Sequence, residues 1–183
     1  MKNAKVTLTN LSADDREQFI LDNQRAFKYG AVEEFGERDD HLDADGEIIS
    51  RKTIERCIDD PHNETYRIIH DGRRVGGVIL KINKETHHNE LEILFVSPEE
   101  HTKGIGYGAW CAVEALHPET KVWETCTPYF EKRNIHFYVN KCGFKIDQFA
   151  CEYFEPTHER PDDDEHNPDE GPEEMFHFVK VMR

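Results

Sequence analysis

The stretch "VSPEEHTKGIGYGAW", Val96–Trp110, is the most informative part of the chain, because it sets three glycines at alternate positions between a strand-like run and a helix-like one. Gly104, Gly106 and Gly108 are three of only eleven glycines in the chain. A turn of this composition presents backbone N–H groups and a helix N-terminus, which together bind anions. The glycines alone support an anion-binding loop and a ligand-free tight connection equally.

Two common phosphate-binding motifs do not fit this stretch. The pattern GxxxxGK[ST] is absent, and G-x-G-x-x-G fails because the third glycine arrives one residue early, at Gly108. These mismatches argue against nucleotide hydrolysis and against dinucleotide redox chemistry.

The sequence before the glycines predicts several strands and two helices. "TYRIIHDGRRVGGVILKINKE" reads as two strands joined by a tight turn at Asp71-Gly72, and "NELEILFV" as a third antiparallel strand. Nearer the start, "KVTLTNLSADD" reads as a strand that ends at a Ser12 cap, and a helix follows to about Phe27. Residues 30–45 show no clear period, and "EIISRKTIERCIDD" predicts a helix that stops before the proline at position 61.

The sequence after the glycines predicts a helix over 105–116, a strand in "KVWETCT", a helix begun at Pro128, and strands in "FKIDQFACEYF" and "MFHFVKVMR". Residues 155–174 contain ten acidic residues and one arginine, so we expect a solvated loop there. We interpret residues 1–183 as one domain.

Composition narrows the range of partners. The 23 basic and 38 acidic side chains give a formal net charge of −15, which argues against general binding to nucleic acid or to an anionic membrane. No apolar stretch is as long as a membrane helix, and "MKNAKVTLTN" lacks the apolar centre of a secretory signal, so we expect a cytoplasmic protein. Five scattered cysteines without a CxxC pair are expected to be reduced thiols.

The run "ELEILFVSPEEHTKGIGYGAW", residues 90–110, resembles the acyl-CoA site of the GNAT superfamily of N-acetyltransferases. The family pattern is close to V-x-P-x-x-[QR]-x-x-G-x-[GA], and it is matched by Val96, Pro98, Gly104 and Gly106 at the family spacing.

A second block, "KRNIHFYVNKCGF", is similar to the family's R-x-I-x-F-Y-…-G-F segment. Its matching residues are Arg133, Ile135, Phe137, Tyr138, Gly143 and Phe144. The chain departs from the pattern at His101, where the family usually has Gln or Arg, and at Glu131, where it has Asn. One extra residue separates Tyr138 from Gly143, so a register counted back from Gly143 places Val139 at the tyrosine position.

The resemblance implies an α/β (α+β) fold with a mixed, mostly antiparallel sheet of about seven strands flanked by helices. It also implies acetyl-CoA as the co-substrate. The residues expected to bind it are Leu94, Phe95, Val96, His101, Thr102, Lys103, Gly104, Ile105, Gly106, Tyr107, Gly108, Glu131, Arg133 and Asn134.

Catalytic roles follow from the same resemblance. Glu90 falls where many relatives carry the general base, Glu92 is the neighbouring alternative, and Tyr138 is the expected acid for the leaving thiolate. Strand alternation predicts that Glu90, Glu92, Leu94 and Val96 share one face. Glutamates that merely solvate an open sheet face, and a tyrosine that merely packs on the sheet, remain the structural alternatives.

The sequence therefore predicts a cytoplasmic N-acetyltransferase that moves an acetyl group directly from acetyl-CoA to a primary amine, with no required metal. The negative charge favours a cationic acceptor, either a small amine or a lysine or N-terminal amine of a protein. A non-catalytic acyl-CoA-binding module and an acidic interaction domain without a ligand remain alternatives. Both a monomer and a homodimer fit the sequence.

Overall fold

The computed structural model describes residues 5–36, 42–43, 45–101, 103–151 and 174–183. Thr102 and all but the last residue of the acidic segment 155–174 therefore lie outside the described residues. The described elements follow the chain in this order: β1 (Val6–Asn10), α1 (Arg16–Phe35), α2 (Arg51–Asp59), β2 (Asn63–His70), β3 (Arg73–Lys81), β4 (His88–Val96), α3 (Ile105–Leu116), β5 (Val122–Pro128), α4 (Lys132–His136), β6 (Lys145–Ala150) and β7 (Met175–Val181).

The strands form one sheet in the order β1-β2-β3-β4-β5-β7-β6. Neighbouring strands are antiparallel except β4 and β5, which are parallel. The predicted mixed, mostly antiparallel sheet is confirmed. The predicted tight turn between β2 and β3 is also present, because Asp71 (φ 50°) and Gly72 (φ 74°) both adopt the left-handed conformation that such turns require.

Helix α1 is longer than the sequence predicted. It continues past Phe27 to Phe35 and ends at Gly36, whose φ is 72°. Gly30 lies inside the helix, where a Cβ would be 2.8 Å from Arg133 Nη2, at the end of a flexible side chain. This glycine therefore lies beside α4 and does not end the helix.

The prediction of a helix begun at Pro128 was wrong at its start. Pro128 is the last residue of β5, where it pairs with Met175 of β7, and α4 begins only at Lys132. A π-helical segment, Phe137–Cys142, follows α4 directly. A π-helix holds one residue more per turn than an α-helix, so this segment accommodates the extra residue that separates Tyr138 from Gly143.

Two apolar layers cover the two faces of the sheet. On one face, α3 and the π-helical segment pack Trp110, Tyr138 and Phe144 against Trp123 and Phe178. On the other face, α1 and α2 pack a second cluster, whose buried members are Phe19, Ile20, Ala26, Ile54, Cys57, Ile79, Ile93 and Phe95.

Buried ion pairs fix α1 on its face of the sheet. Arg67 of β2 is 2% exposed, and its guanidinium donates to both oxygens of Asp15 at 2.7 and 3.0 Å and to Asp22 at 2.9 Å. Removal of either partner from a buried pair leaves an uncompensated charge, so this network holds the helix at one rotation. None of the helices in the described part of the chain has both the length and the apolar character needed to cross a bilayer.

Candidate active site

The candidate site lies where β4 and β5 separate. Within the described residues, the two parallel strands pair at three positions: His88 with Val122, Asn89 with Trp123, and Glu90 with Glu124. Just beyond this point, the Thr125 hydroxyl donates to the carbonyl of Leu91 at 2.8 Å. We call the space between residues 91–96 of β4 and residues 125–128 of β5 the cleft, and its closed end at Glu90 and Glu124 the apex.

A β-bulge at Glu92 changes the faces of β4 beside the apex. Ile79 pairs with Ile93 while Leu80 pairs with Leu91, so Glu92 is the extra residue on β4. The alternation predicted for this strand is therefore wrong. Leu91 packs with the α3 layer and Ile93 with the α1 and α2 layer, and Glu92 contacts α2 rather than sharing the face of Leu94.

Glu90 and Glu92, the two expected bases, lie in different surroundings. Burial, with smaller contributions from the charges of Glu92 and Glu124, raises the pKa of Glu90 to about 7, although Lys81 opposes the shift. Glu92 instead accepts a hydrogen bond from the Cys57 thiol of α2, with 3.5 Å between Sγ and Oε2. Burial and the Glu92 carboxylate raise the pKa of that thiol to about 12, so Cys57 stays a protonated donor.

The last residues of β4 offer main-chain groups to the cleft. The Ser97 amide donates to the Val75 carbonyl of β3 at 2.8 Å. Hydrogen-bonded pairs alternate along an antiparallel ladder, so the peptide groups of Phe95 face β3, whereas those of Leu94 and Val96 face the cleft. Of the three predicted β4 residues, Phe95 therefore contributes core packing, with its ring 5.1 Å from that of Phe19.

The glycine turn, residues 103–108, leads from this strand end into α3. Gly104 has φ 77°, which a residue with a side chain rarely adopts, and α3 begins at the next residue. The N–H groups of Ile105, Gly106 and Tyr107 belong to the first turn of α3, where helix amides lack partners within the helix. The amide of Gly108, predicted to bind the co-substrate, donates to the Gly104 carbonyl at 3.0 Å instead.

Side chains near the turn are engaged within the protein. Lys103 Nζ donates to Glu100 at 3.0 Å. A Cβ added to Gly106 would lie 3.5 Å from the ring of Phe137, so Phe137 packs closely against the turn. Thr102, also predicted here, is outside the described residues.

His101 and Arg133 form a bridge at the open end of the cleft. His101 Nε2 lies 3.0 Å from the Val96 carbonyl, and Arg133 Nη1 donates to His101 Nδ1 at 3.2 Å. A carbonyl only accepts and a guanidinium only donates, so these partners fit a neutral ring with its proton on Nε2. The Tyr29 ring of α1 packs edge-on to the His101 ring, with 5.7 Å between the ring centroids, so the bridge links α1, the turn and α4.

The remaining predicted residues lie on the β5 side. Glu131 is 6% exposed and precedes α4, and Asn134 Nδ2 lies 3.5 Å from Thr127 Oγ1 of β5. Tyr138 is 7% exposed, its ring packs against Phe144 and Phe178, and its hydroxyl hydrogen-bonds with the Thr125 side chain. Burial raises its pKa well above the usual value for tyrosine. A chain of hydrogen bonds therefore runs from the Tyr138 hydroxyl through Thr125 to the carbonyl of Leu91, next to the apex.

Sequence reasoning missed three residues of this site: Cys57, Glu124 and Thr125. Their positions depend on the pairing of β4 with β5 and on the packing of α2, and no local pattern reports these contacts. No group of His, Cys, Asp and Glu side chains suited to hold a metal ion occurs within the described residues.

Comparisons with known proteins agree with this fold. The sequence model of the acetyltransferase (GNAT) family matches residues 22–144. The Bacillus subtilis (strain 168) protein YrkN, itself uncharacterised, is 42% identical over 180 residues, which cover 98% of this chain and 95% of YrkN.

Solved structures of similar fold include two bound to coenzyme A. Spermidine N-acetyltransferase from Vibrio cholerae, in complex with CoA and spermine, has a TM-score of 0.64 and 14% identity over 97% of this chain and 95% of that one. PaiA N-acetyltransferase from Thermoplasma acidophilum, in complex with CoA, has a TM-score of 0.63 and 17% identity over 97% of this chain and 99% of that one. The ribosomal-protein-S18-alanine N-acetyltransferase of Escherichia coli has a TM-score of 0.64 and 13% identity over 96% of this chain and 93% of that one. The chain belongs to the acetyltransferase (GNAT) family and is an acyltransferase whose co-substrate is an acyl-CoA.

Proposed function

We propose that this enzyme transfers an acetyl group from acetyl-CoA directly to a primary amine, with Glu90 as the general base. The observation that supports this most is the position of Glu90 at the apex with a pKa raised to about 7. A base with a pKa near the working pH combines a large ionised fraction with enough basicity to remove a proton. Glu90 therefore takes a proton from the acceptor ammonium, and the neutral amine attacks the thioester.

The cleft supplies the other requirements for acyl transfer. Peptide groups of Leu94 and Val96 pair with the extended pantetheine arm, and the first-turn amides of α3 receive the pyrophosphate. A β4 amide directed at the thioester oxygen stabilises the charge that develops there. Tyr138 remains the predicted acid for the departing thiolate, because its raised pKa keeps the hydroxyl protonated and Thr125 connects it to the apex.

The acceptor in this proposal is cationic. Glu90 pairs with Glu124 at the apex, the charge of Glu92 also acts on the Glu90 carboxyl, and the chain carries a formal net charge of −15. Such a field attracts an amine that arrives as an ammonium ion. Two of the similar enzymes named above are a spermidine N-acetyltransferase and a ribosomal-protein-S18-alanine N-acetyltransferase, so small polyamines and protein amines are both included. The five cysteines are free, which supports a reducing, cytoplasmic location.

The test is an acetylation assay with acetyl-CoA and a panel of polyamines, aminoglycosides and peptides with lysine or N-terminal amines, with products identified by mass spectrometry. At least one acceptor should gain one acetyl group with stoichiometric release of CoA. Glu90→Gln should abolish most of this turnover while CoA binding persists.

A non-catalytic acyl-CoA-binding module is the second candidate, because the chain departs from the family pattern at His101 and Glu131. CoA binding without acetylation of any amine in the panel would favour the module and overturn the proposed reaction.

A further inference from the structure

A thiol, an imidazole and a carboxylate lie side by side on the neighbouring strands β5, β7 and β6. Cys126 of β5 pairs with His177 of β7, and His177 Nδ1 lies 2.5 Å from Asp147 Oδ1 of β6. Residues directly opposite each other on antiparallel strands have Cβ atoms about 4.5–5.5 Å apart. The three groups therefore follow one another across the sheet, and none of them has a role in the proposed amine transfer.

Strand alternation places Cys126 and His177 on the face of the sheet opposite α3. Their chain neighbours Thr125 and Phe178 face the α3 layer, where Phe178 is buried and Thr125 is hydrogen-bonded to Tyr138. Among the described residues, the apolar cluster under α1 and α2 reaches β3 and β4 but not β5 or β7. Cys126 is exposed, so its thiol is accessible on this face.

A β-bulge in β6 brings the carboxylate to the imidazole. Asp147 and Gln148 both lie opposite His177, because the pairing of β6 with β7 shifts at this point. A carboxylate only accepts hydrogen bonds, so His177 Nδ1 carries the proton and Nε2 is a proton acceptor. The two nitrogens point to different sides of the ring. Because Asp147 lies on the β6 side, Nε2 is directed toward β5 and Cys126.

Cys126 also lies close to the place where the acyl group is delivered. It belongs to the β5 wall of the cleft, two residues beyond Glu124 and on the same face, about 7 Å along the strand. Glu124 pairs with Glu90 at the apex, where the proposed amine transfer takes place. A thioester that is presented to an amine at the apex is therefore also within reach of the Cys126 thiol.

We propose that Cys126 is a self-acylation site that takes an acyl group from acyl-CoA, with His177 as its base. His177 Nε2 removes the thiol proton, and Cys126 Sγ forms a bond to the thioester carbonyl carbon. The bond between that carbon and the CoA sulfur breaks, and the CoA thiolate receives the proton from His177. One thioester replaces another, so no further reactant is needed.

Asp147 is a positioning residue, because it holds the imidazole in the required tautomer and orientation. The site goes beyond the proposed function, since the acceptor is a side chain of the protein itself and Glu90 takes no part. It rests only on the entry of acyl-CoA into the cleft.

Intact-mass spectrometry of the protein incubated with acetyl-CoA and no amine tests the site. At pH 7 the wild type should gain an acetyl group that neutral hydroxylamine removes, because this reagent cleaves thioesters but not amides. Peptide mapping should place the label on Cys126, and Cys126→Ala should not gain it. Cys111 of α3, also an exposed thiol, is the matched control. It should stay unlabelled, and Cys111→Ser should be labelled at Cys126 at the wild-type rate.

Two further variants test the base and the residue that positions it. His177→Gln should lower the labelling rate at pH 7 by about 100-fold. Without an internal base, the rate should then rise with pH until an ordinary thiol ionises, at about pH 8.5. Asp147→Asn should also lower the rate at pH 7 and move the pH profile in the same direction. If this pair served only to hold β6 in place, both variants would lower the melting temperature and keep the wild-type pH profile.

Three results would overturn the inference alone: a wild type that acetylates an amine but leaves Cys126 unlabelled, equal labelling of Cys111 and Cys126, or an unchanged labelling rate in His177→Gln. In each case acetylation of an amine would leave the proposed function intact. Labelled Cys126 without acetylation of any amine in the panel would support this site and overturn the amine transfer. Absence of both reactions would overturn both proposals.

Discussion

Replacement of Glu90 by glutamine should stabilise the ligand-free protein, and only at higher pH. Below pH 4.5 the carboxyl is protonated in both the folded and the unfolded chain, so the substitution changes little. As the pH rises from 4.5 through 7, the unfolded chain releases this proton while the folded protein retains it, so the wild type loses stability. Glutamine cannot ionise, so the variant does not share this loss.

The size of the effect follows from the pKa of Glu90. The difference between its ordinary value of 4.5 and about 7 corresponds to about 3 kcal/mol at 1.36 kcal/mol per pH unit. The free energy of unfolding of Glu90→Gln should therefore match the wild type near pH 4.5. It should exceed the wild type by about 3 kcal/mol above pH 8.

Urea denaturation followed by circular dichroism at several values between pH 4.5 and pH 9 measures this difference. Glu85→Gln, a neutralisation at an exposed position in the β3–β4 connection, is the matched control and should give a small difference that does not vary with pH. A flat profile for Glu90→Gln, parallel to that control, would refute the reasoning. Glu90 would then have an ordinary pKa, and the main support for its role as the base would be lost.

Three further substitutions test other parts of the site. Glu92→Gln removes a negative charge that disfavours ionisation of Glu90, so the acidic limb of the pH profile of kcat/KM should move to lower pH. An unmoved limb would contradict the effect of the Glu92 charge on the pKa of Glu90. Gly77→Ala should lower the free energy of unfolding by about 1–3 kcal/mol in urea titrations, because the alanine Cβ would lie 2.3 Å from the Phe19 ring. A variant as stable as the wild type would contradict this packing. Tyr138→Phe should lower kcat by about 100-fold with an unchanged Kd for CoA, and wild-type kcat would remove the tyrosine from the mechanism.

Much of the fold follows from local patterns. The alternating runs of β2, β3 and β4 and the Asp71-Gly72 turn specify an antiparallel unit that the structure contains. The length of α1 did not follow, because residues 30–45 show no clear period in the sequence. The start of α4 was misplaced because Pro128 suits either a first helical turn or the end of β5, and only pairing with β7 decides between them.

The site was predictable where it depends on the main chain, and less so where it depends on register. Gly104 and its place before α3 follow from the spacing of the glycines and the apolar run before them. The bulge at Glu92 does not, because it arises from pairing between β3 and β4. The same limit applies to Tyr138, which is buried within the π-helical segment. The sequence indicated this segment only through the one extra residue between Tyr138 and Gly143.

Burial and two neighbouring carboxylates together raise the pKa of Glu90. Parallel pairing places Glu124 beside Glu90, and the bulge one residue beyond Leu91 turns Glu92 toward α2. Without the bulge, Glu92 and Leu94 would share one face of the strand, whereas here Glu92 lies beside Cys57 and Leu94 packs with the α3 layer. The negative charge of Glu92 in this position contributes to the raised pKa of the Glu90 carboxyl. In the proposed mechanism, the strength of the base therefore depends in part on a local irregularity of β4.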